Sequence, residues 1–344
     1  MADSLLMVGN FLSAAVGNRS VCEDLAERLA ACGWSVLTTS SRRARTARLT
    51  DMLASAWGNR SRYEVAHVDV YSGAAFFWAE AVACVLRRAG KPYALTLHGG
   101  ALPVFAARWK GRVERLLTSA AAVTAPSRYL VDSMRIYRSD LRLIPNGIEL
   151  SQYPYRLRAE AGPHLIWLRA FHRIYDPVLA VEVLARLRER GWDADLTMIG
   201  PDKGDGSLSQ TREAARRLRV GSAVHFIGSV PKADTGRSIS AGDIFLNTTT
   251  IDNAPVSVLE AMACGACIVS TNAGGIPHLV RDGRTALLVK PGDAEGMAEA
   301  VTRILNDRVL ASTLSAQAHE DSAAFDWSRI LPHWHQLLRS LQCV

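Results

Sequence analysis

The chain has 344 residues, of which 49% are hydrophobic and 21% charged, and its formal net charge is +7. A single hydrophobic core rarely grows beyond about 250 to 300 residues, so this length predicts two domains. The composition excludes disordered and fibrous proteins. The positive charge favours anionic partners, which include phosphorylated small molecules, acidic lipid and nucleic acid.

The chain shows no membrane-spanning or secretory pattern. No apolar run approaches the roughly 20 residues of a spanning helix, and the first four residues lack the basic start of a secretory signal. We therefore expect a cytoplasmic protein. Its six cysteines predict reduced thiols rather than a disulfide framework. Cys264 and Cys267 have the spacing of a metal pair, but no second pair lies at zinc-site spacing, so we expect no metal.

The first half of the chain alternates short apolar strands with amphipathic helices. The predicted strands are 4–9, 34–38, 65–68, 93–97, 122–125 and 141–144, and the predicted helices include 21–32 and 74–88. This alternation predicts a doubly wound α/β domain, whose ligands bind beyond the carboxyl ends of the strands. His98 lies at such an end.

The second half repeats the pattern after a polar, proline-containing linker at 151–163. The predicted strands are 164–168, 194–199, 224–227, 244–246 and 267–270, with a helix at 178–190. We predict two Rossmann-like domains, 1–153 and 154–325. The tail, 326–344, has helical apolar spacing and is predicted to return to the N-terminal domain.

Asp252 and Glu260 form the strongest candidate site. Pro255 suits the first turn of a helix, whose free amides favour an anion or a sugar hydroxyl. Glu260 lies among apolar residues, where an acid is unexpected without a partner. Carboxylates at these positions can accept hydrogen bonds from the hydroxyls of a polyol.

Together with other motifs, this segment resembles the family 4 glycosyltransferases, also called glycosyltransferases group 1. The other motifs are Gly17, the His98-Gly99-Gly100 triplet, 126–127, 144–148 and the glycine turn 271–277. The resemblance covers nearly the whole chain. It implies the GT-B fold, in which an acceptor-side N-terminal domain faces a nucleotide-sugar-binding C-terminal domain.

The resemblance also implies roles for individual residues. Glu260 would bind the donor ribose, Arg169 the diphosphate, and His98 the transferred sugar. The backbone at Gly17 would approach the diphosphate. The transferred sugar would be held by Asp252 and the residues that follow it, namely Asn253, Ala254, Pro255 and Val256.

The implied reaction is retaining transfer from a UDP- or GDP-sugar to a sugar or lipid-linked acceptor, without metal or another cofactor. The implied setting is bacterial synthesis of cell-surface polysaccharide or glycolipid. Two positions depart from the family pattern. Asp252 replaces the usual glutamate, and Ile174 replaces a lysine that normally accompanies the arginine. Arg173 is the nearest cation and the candidate replacement, although arginine is not equivalent to a lysine point charge.

Two alternative functions remain open. A nucleotide-sugar epimerase shares the architecture, and a donor-binding protein without transfer activity would fit the two departures. A dinucleotide oxidoreductase is disfavoured because residues 9–13 are not a G-x-G-x-x-G loop. Nucleic-acid binding has only the net charge in its favour, so we expect no nucleic-acid partner.

The N-terminal half also carries clustered cations. One interpretation is an ordinary solvated face, and the other is peripheral contact with anionic lipid on the inner face of the membrane, close to a lipid-linked acceptor. The cluster comprises Arg42, Arg43, Arg45, Arg48, Arg108, Lys110, Arg112 and Arg115.

Overall fold

A computed structural model describes residues 3–13 and 20–342. The chain divides into two compact units, of which the first comprises Met1–Gly147 with Trp327–Val344 and the second comprises Ile148–Asp326. Each unit contains one six-stranded sheet. The predicted pair of doubly wound α/β domains is therefore confirmed.

The first unit is built on a parallel sheet with strand order β2-β1-β3-β4-β5-β6. The first strand lies between the second and the third, and the register aligns Leu5 with both Val36 and Val65. The strands are β1 (Ser4–Val8), β2 (Ser35–Thr39), β3 (Val65–Val70), β4 (Tyr93–Leu97), β5 (Ala122–Ala125) and β6 (Arg142–Leu143). The helices are α1 (Val21–Ala31), α2 (Arg45–Gly58), α3 (Ala74–Arg88), α4 (Leu102–Arg108), α5 (Lys110–Ser119) and α6 (Arg128–Met134).

The second unit repeats this plan with strand order β12-β11-β10-β7-β8-β9, again parallel. Its strands are β7 (His164–Leu168), β8 (Asp195–Ile199), β9 (Val224–Gly228), β10 (Ile244–Asn247), β11 (Cys267–Thr271) and β12 (Leu287–Val289). Its helices are α7 (Pro177–Glu189), α8 (Ser207–Arg217), α9 (Thr235–Ser240), α10 (Val256–Ala263), α11 (Ala294–Asn306) and α12 (Arg308–Ser322).

The last helix, α13 (Trp327–Gln342), packs in the first unit, as the apolar spacing of the tail predicts. Its apolar face joins a cluster with Leu5, Met7 and Leu25. The side chains that α13 contributes are Trp327, Ile330, Trp334, Leu337, Leu338 and Leu341. Among the residues that the structure describes, no helix is both long and apolar enough to cross a membrane.

The junction between the units lies earlier than the expected boundary at residue 153. Ile148 donates its backbone N–H to the carbonyl of Phe325 at 2.9 Å, and both Ile148 and Tyr153 pack in a core cluster of the second unit. Segment 148–153 therefore belongs to the second unit, because its buried side chains are covered there. At Gly147, a Cβ atom would lie 2.5 Å from the ring of Trp327, so this position accommodates only glycine without rearrangement.

Candidate functional site

The candidate site of the second unit lies where its strand order reverses. The strand β7 lies between β8 and β10. The strands β8 and β9 are added on one side of β7, and the later strands β10, β11 and β12 are added on its other side. In open α/β sheets, ligands bind beyond the carboxyl ends of the strands at such a switch point. Arg169 directly follows β7, and the segment 248–255 follows β10.

Arg169 and Asp252 meet at this edge in a salt bridge between Nη2 and Oδ2. The guanidinium also lies over the ring of Tyr175, with 4.1 Å between Cζ and the ring centroid. Burial opposes the charge of Arg169, but Asp252, Tyr175 and Glu260 together raise its pKa above the ordinary value. Arg169 Nε is buried and has no hydrogen-bond partner among the described residues. A cation is thus held at the switch point with one donor unused.

The glycine turn after β11 supports the loop that carries Asp252. Gly275 donates its N–H to the carbonyl of Asp252 at 3.0 Å. A Cβ atom at Gly275 would lie 1.8 Å from the carbonyl oxygen of Asn253, and one at Gly274 would lie 2.0 Å from that of Asp252. The two glycines are therefore required for the close approach of these backbones.

The helix α10 begins directly after this loop. Pro255 occupies the N-cap position, one residue before the first turn in which it was predicted, and no side chain caps the helix. The amides at an uncapped helix start are available to an anion or a hydroxyl. The hydroxyl of Ser257 is buried there and has no partner among the described residues. Asn253 and Pro255 are buried, whereas Ala254 and Val256 are partly exposed.

Glu260 projects from α10 and is 3% exposed. Tyr153 donates its hydroxyl to Oε1 at 2.9 Å, and Lys232 Nζ contacts the same oxygen. Both contacts are made to the same carboxylate oxygen. The buried acid predicted to need a partner therefore has two, and neither was recognised in the sequence, because Tyr153 and Lys232 lie 107 and 28 residues away without a motif.

The segment after Arg169 is fixed through its backbone. The carbonyl of Ile174 accepts from the N–H of Thr250 at 2.8 Å, and the N–H of Arg173 donates to Asp205 at 2.9 Å. Hydrogen bonds from Ser207 and from Arg173 lower the pKa of Asp205 to about 2. The side chain of Arg173 is exposed. Lys232 is therefore the cation that contacts Glu260. The side chain of Arg173 does not contact Glu260.

His98 of the first unit follows β4 and is paired with a buried acid. Its Nε2 lies 3.0 Å from Asp69 Oδ1, and its ring stacks on Tyr71 with 5.0 Å between centroids. Burial opposes ionisation of Asp69, but the charge and hydrogen bond of His98 hold the pKa of Asp69 below its usual value. Nearby, burial lowers the pKa of His67 to about 4. Asp69 had not been recognised in the sequence, where it directly follows the predicted strand 65–68 and belongs to no motif.

Other predicted positions lie apart from these contacts or outside the described residues. Gly17 falls in the segment 14–19, outside the described residues. Cys264 and Cys267 are buried, and burial raises the pKa of both thiols, to about 11 and about 12. Within residues 3–13 and 20–342, no group of three His, Cys, Asp or Glu side chains is arranged to hold a metal ion.

Comparison with known proteins gives matches to both units. Residues 18–152 match the family model described as Glycosyltransferase Family 4, and residues 162–307 match that described as Glycosyl transferases group 1. The chain is 28% identical over 265 residues to a putative teichuronic acid biosynthesis glycosyltransferase of Bacillus subtilis, which covers 72% of this chain and 64% of that protein. Across the curated relatives, the match spans between 28% and 64% of the relative's length.

Two solved structures resemble the whole chain. Sucrose-phosphate synthase from Thermosynechococcus elongatus has a TM-score of 0.82 at 20% identity, covering 98% of this chain and 99% of that one. Anabaena Alr3699/HepE, in complex with UDP-glucose, has a TM-score of 0.77 at 17% identity, with coverage of 98% and 99%. These likenesses concern the fold, and they confirm the predicted GT-B architecture.

Proposed function

Because the chain belongs to the family 4 glycosyltransferases, we propose that it transfers a sugar from a UDP- or GDP-sugar to a sugar or lipid-linked acceptor, with retention of anomeric configuration. The proposed setting is the synthesis of cell-surface polysaccharide or glycolipid on the cytoplasmic side of a bacterial membrane. The curated relatives include proteins named as a sulfoquinovosyl transferase, a putative teichuronic acid biosynthesis glycosyltransferase and a phosphatidyl-myo-inositol mannosyltransferase.

The arrangement of Arg169, Asp252 and Glu260 at the switch point carries this proposal. A nucleotide sugar presents a diphosphate and several hydroxyls, and the site offers a matched group for each. Arg169 and the uncapped start of α10 suit the diphosphate. Glu260 Oε2 suits the ribose hydroxyls, and Asp252 with residues 253–256 suits the transferred sugar.

In the proposed reaction, the acceptor hydroxyl oxygen forms a bond to the anomeric carbon while the bond from that carbon to the diphosphate oxygen breaks. The bonding electron pair leaves with the nucleoside diphosphate, and the acceptor proton passes to the departing phosphate oxygen. Arg169 and the helix amides stabilise the charge that develops there. These groups are fixed in place by the protein, so we propose that no metal is needed.

Lys232 offers a second cation for the donor. The family lysine is replaced by Ile174, whose side chain is exposed and whose carbonyl accepts a hydrogen bond from the hydroxyl of Thr249. Lys232 comes instead from the loop after β9, and it contacts Glu260. We propose that Lys232, rather than the exposed Arg173, is the cation that lies beside the ribose of the bound donor. The role of His98 as a contact of the transferred sugar rests on the family resemblance.

Donor screening followed by product analysis tests the proposal. UDP- and GDP-sugars are screened by thermal shift, since a ligand stabilises the native state in proportion to RT ln(1 + [L]/Kd). The stabilising donor is then incubated with sugar and lipid-linked acceptors, and the anomer of the product is read by NMR. A product with the donor's anomeric configuration supports the proposal. Conversion of the donor sugar without an acceptor would indicate an epimerase, and donor binding without any turnover would indicate a binding protein.

Glu260→Gln tests the assignment of the site. Removing the charge weakens the hydrogen bonds to the ribose by about 1.5 to 3 kcal/mol, so the affinity for UDP should fall roughly 10- to 100-fold. The matched control is Glu299→Gln, because Glu299 is exposed on α11. Titration calorimetry with UDP measures both. Unchanged UDP affinity in Glu260→Gln would rule out this ribose site.

We also propose peripheral contact with anionic lipid through α4 and α5. Val104 is 71% exposed and Trp109 is 37% exposed, and Arg108, Lys110 and Arg115 are exposed beside them. Apolar side chains flanked by cations are typical of interfacial helices. Arg112 is less available, because it is paired with Glu80.

Liposome flotation tests this contact. We expect binding to vesicles with anionic lipid, weaker binding to neutral vesicles, and a loss of binding in a variant with both Val104→Ser and Trp109→Ser. The control is Ile136→Ser, which removes an apolar side chain that is 74% exposed elsewhere in the unit. Equal binding to neutral and anionic vesicles would contradict the proposal.

A further inference from the structure

The first unit contains a cavity of about 380 Å³ that none of the assignments above uses. It lies at the carboxyl ends of β1 and β3, lined there by Gly9, Asn10 and Asp69. The strand β1 lies between β2 and β3, so this is the switch point of the first sheet, where ligands of such sheets bind. Its volume falls in the range of small-molecule sites, about 300 to 1,000 Å³.

Two arginines, Arg45 and Arg48, line the cavity. Arg48 is held by Asn10 Oδ1 at 3.1 Å and by the carbonyls of Arg42 and Arg43. Arg45 is exposed at the first turn of α2, and no carboxylate among the described residues pairs with it. Both arginines line the cavity, and burial together with the charge of Arg45 lowers the pKa of Arg48.

A carboxylate also lines the cavity. Asp69 is buried, and its Oδ1 is bonded to His98. Its Oδ2 has no nitrogen or oxygen partner among the described residues, and a hydrogen bond from the Cys22 thiol helps to lower the pKa of Asp69. A thiol is a weak hydrogen-bond donor, so a ligand hydroxyl would give this buried oxygen a stronger hydrogen bond. The rings of Tyr71 and Trp78 complete the wall.

From these features we propose that the cavity binds the acceptor, and that this acceptor is a sugar carrying an anionic group, either a phosphate or a carboxylate. The anionic group is bound by Arg45 and Arg48, a hydroxyl donates to Asp69, and the sugar ring lies against the aromatic wall. This inference rests on the proposed transferase function. It connects that function to His98, because Asp69 is shared by the cavity and the histidine.

Calorimetric titration tests the proposal with three matched probes, which are glucose, glucose 6-phosphate and glucuronic acid. Each is titrated into the full chain with and without saturating UDP. We expect at least one anionic probe to bind ten or more times more tightly than glucose. The two anionic probes distinguish a phosphate from a carboxylate as the recognised group.

Two variants locate the binding. Arg45→Gln should bring the affinity for the anionic probe to within about twofold of that for glucose, while Arg62→Gln, which removes a cation beyond the other end of α2, should leave it unchanged. Ala75→Trp fills the cavity and should abolish binding of every probe. Circular dichroism melting checks that each variant folds.

The inference is overturned if no probe binds, if glucose binds as tightly as the anionic probes, or if binding survives both Arg45→Gln and Ala75→Trp. Failure of the transferase proposal would look different. In that case neither UDP nor GDP would bind in the second unit, or the nucleotide would bind equally well to Glu260→Gln. A chain that binds UDP normally but shows no charge preference among the probes would lose this inference alone.

Discussion

Two buried or half-buried carboxylates in the second unit each hold a cation. Asp252 holds Arg169, and Glu260 holds Lys232. A buried charge is tolerated when it is paired and hydrogen-bonded, so these pairs keep four charged groups in place in the absence of ligand. For the proposed donor, with its diphosphate and hydroxyls, the charges of this site would already be positioned, which would limit the reorganisation that binding requires.

Lys232→Met tests the role assigned to the lysine. Glu260 then loses its cationic partner, and the donor loses a positive charge, so we expect the affinity for UDP to fall about tenfold, equivalent to about 1.4 kcal/mol. Calorimetric titration at low and moderate salt measures the change. Lys203→Met is the control, because Lys203 is exposed on the same unit. An affinity equal to that of the control would contradict the assignment.

His67 predicts a dependence of stability on pH. Burial lowers its pKa from 6.5 to about 4, so the unfolded chain binds the proton more readily than the folded one. The contribution of neutral His67 to the free energy of unfolding is fully present above pH 6.5, and it is lost as the pH falls from 6.5 to 4. The shift corresponds to about 3 kcal/mol.

Denaturant unfolding at pH 7, 5.5 and 4 measures this dependence. In His67→Gln the decrease in the free energy of unfolding over that range should be smaller by about 3 kcal/mol. His333→Gln provides the control, since His333 is exposed in the same unit. Equal pH profiles for wild type and His67→Gln would show that this histidine is not the cause.

Part of the site was predictable at the scale of single residues. Glu260 was recognised because an acid among apolar side chains requires a partner, and Asp252 and Arg169 because they match a family pattern at strand ends. The partners Tyr153, Lys232 and Asp69 were not recognised. Each is a common residue type without a local motif, and its proximity to the site arises only when distant segments fold together.

The glycine turn after β11 shows how one element positions another. Its backbone packs against that of the Asp252 loop so closely that neither Gly274 nor Gly275 has room for a side chain. The loop is also bonded to the segment after β7 through the carbonyl of Ile174. The position of Asp252 is therefore fixed by the segments that follow three strands, namely β7, β10 and β11.

Gly275→Ala tests this arrangement. The added methyl would lie 1.8 Å from the carbonyl oxygen of Asn253, so the Asp252 loop must move, and we expect UDP-sugar binding to weaken at least tenfold with a modest loss of stability. Gly292→Ala is a steric control, because nothing lies within 4 Å of a Cβ there, although its positive φ will cost some stability. Calorimetry and thermal melting separate the two effects. Normal donor affinity in Gly275→Ala would show that the loop tolerates the methyl.

Element prediction succeeded where apolar periodicity is strong. The buried strands of both sheets and the helices α1, α3 and α7 lie within a few residues of their predicted bounds. The helix α8 was not predicted, because its sequence is mostly polar and only four of its residues are buried. The three-residue strand β12 is too short to show a period. Such elements are stabilised by packing rather than by their own pattern.

At the scale of the whole molecule, the chain ends in the unit where it began. The helix α13 covers residues of β1 and α1, and the Nε1–H of Trp34 donates to His335 Nδ1 at 2.9 Å. The ring of Trp334 meets His67 edge-on, with 5.2 Å between centroids. The stability of the first unit thus depends on a segment that follows the entire second unit.

Trp334→Ala tests this dependence. Removing a buried tryptophan should lower the free energy of unfolding of the first unit by about 3 to 5 kcal/mol. Trp57→Ala deletes the same side chain where it is 47% exposed, and it should cost less than about 1 kcal/mol. Denaturant unfolding followed by circular dichroism measures both. Similar costs for the two variants would show that α13 contributes little to that core.

The sequence by itself determined the two α/β units, the strands of their sheets, the return of the last helix and the three charged residues Arg169, Asp252 and Glu260. Those features depend on local periodicity and on motifs that lie within short segments. Only the tertiary structure decided that Lys232 pairs with Glu260, that Asp69 pairs with His98, and that Arg45 and Arg48 share a cavity with that acid. These contacts join residues from separate loops and helices that follow different strands, and parallel sheet pairing brings them to one edge although no local pattern links them.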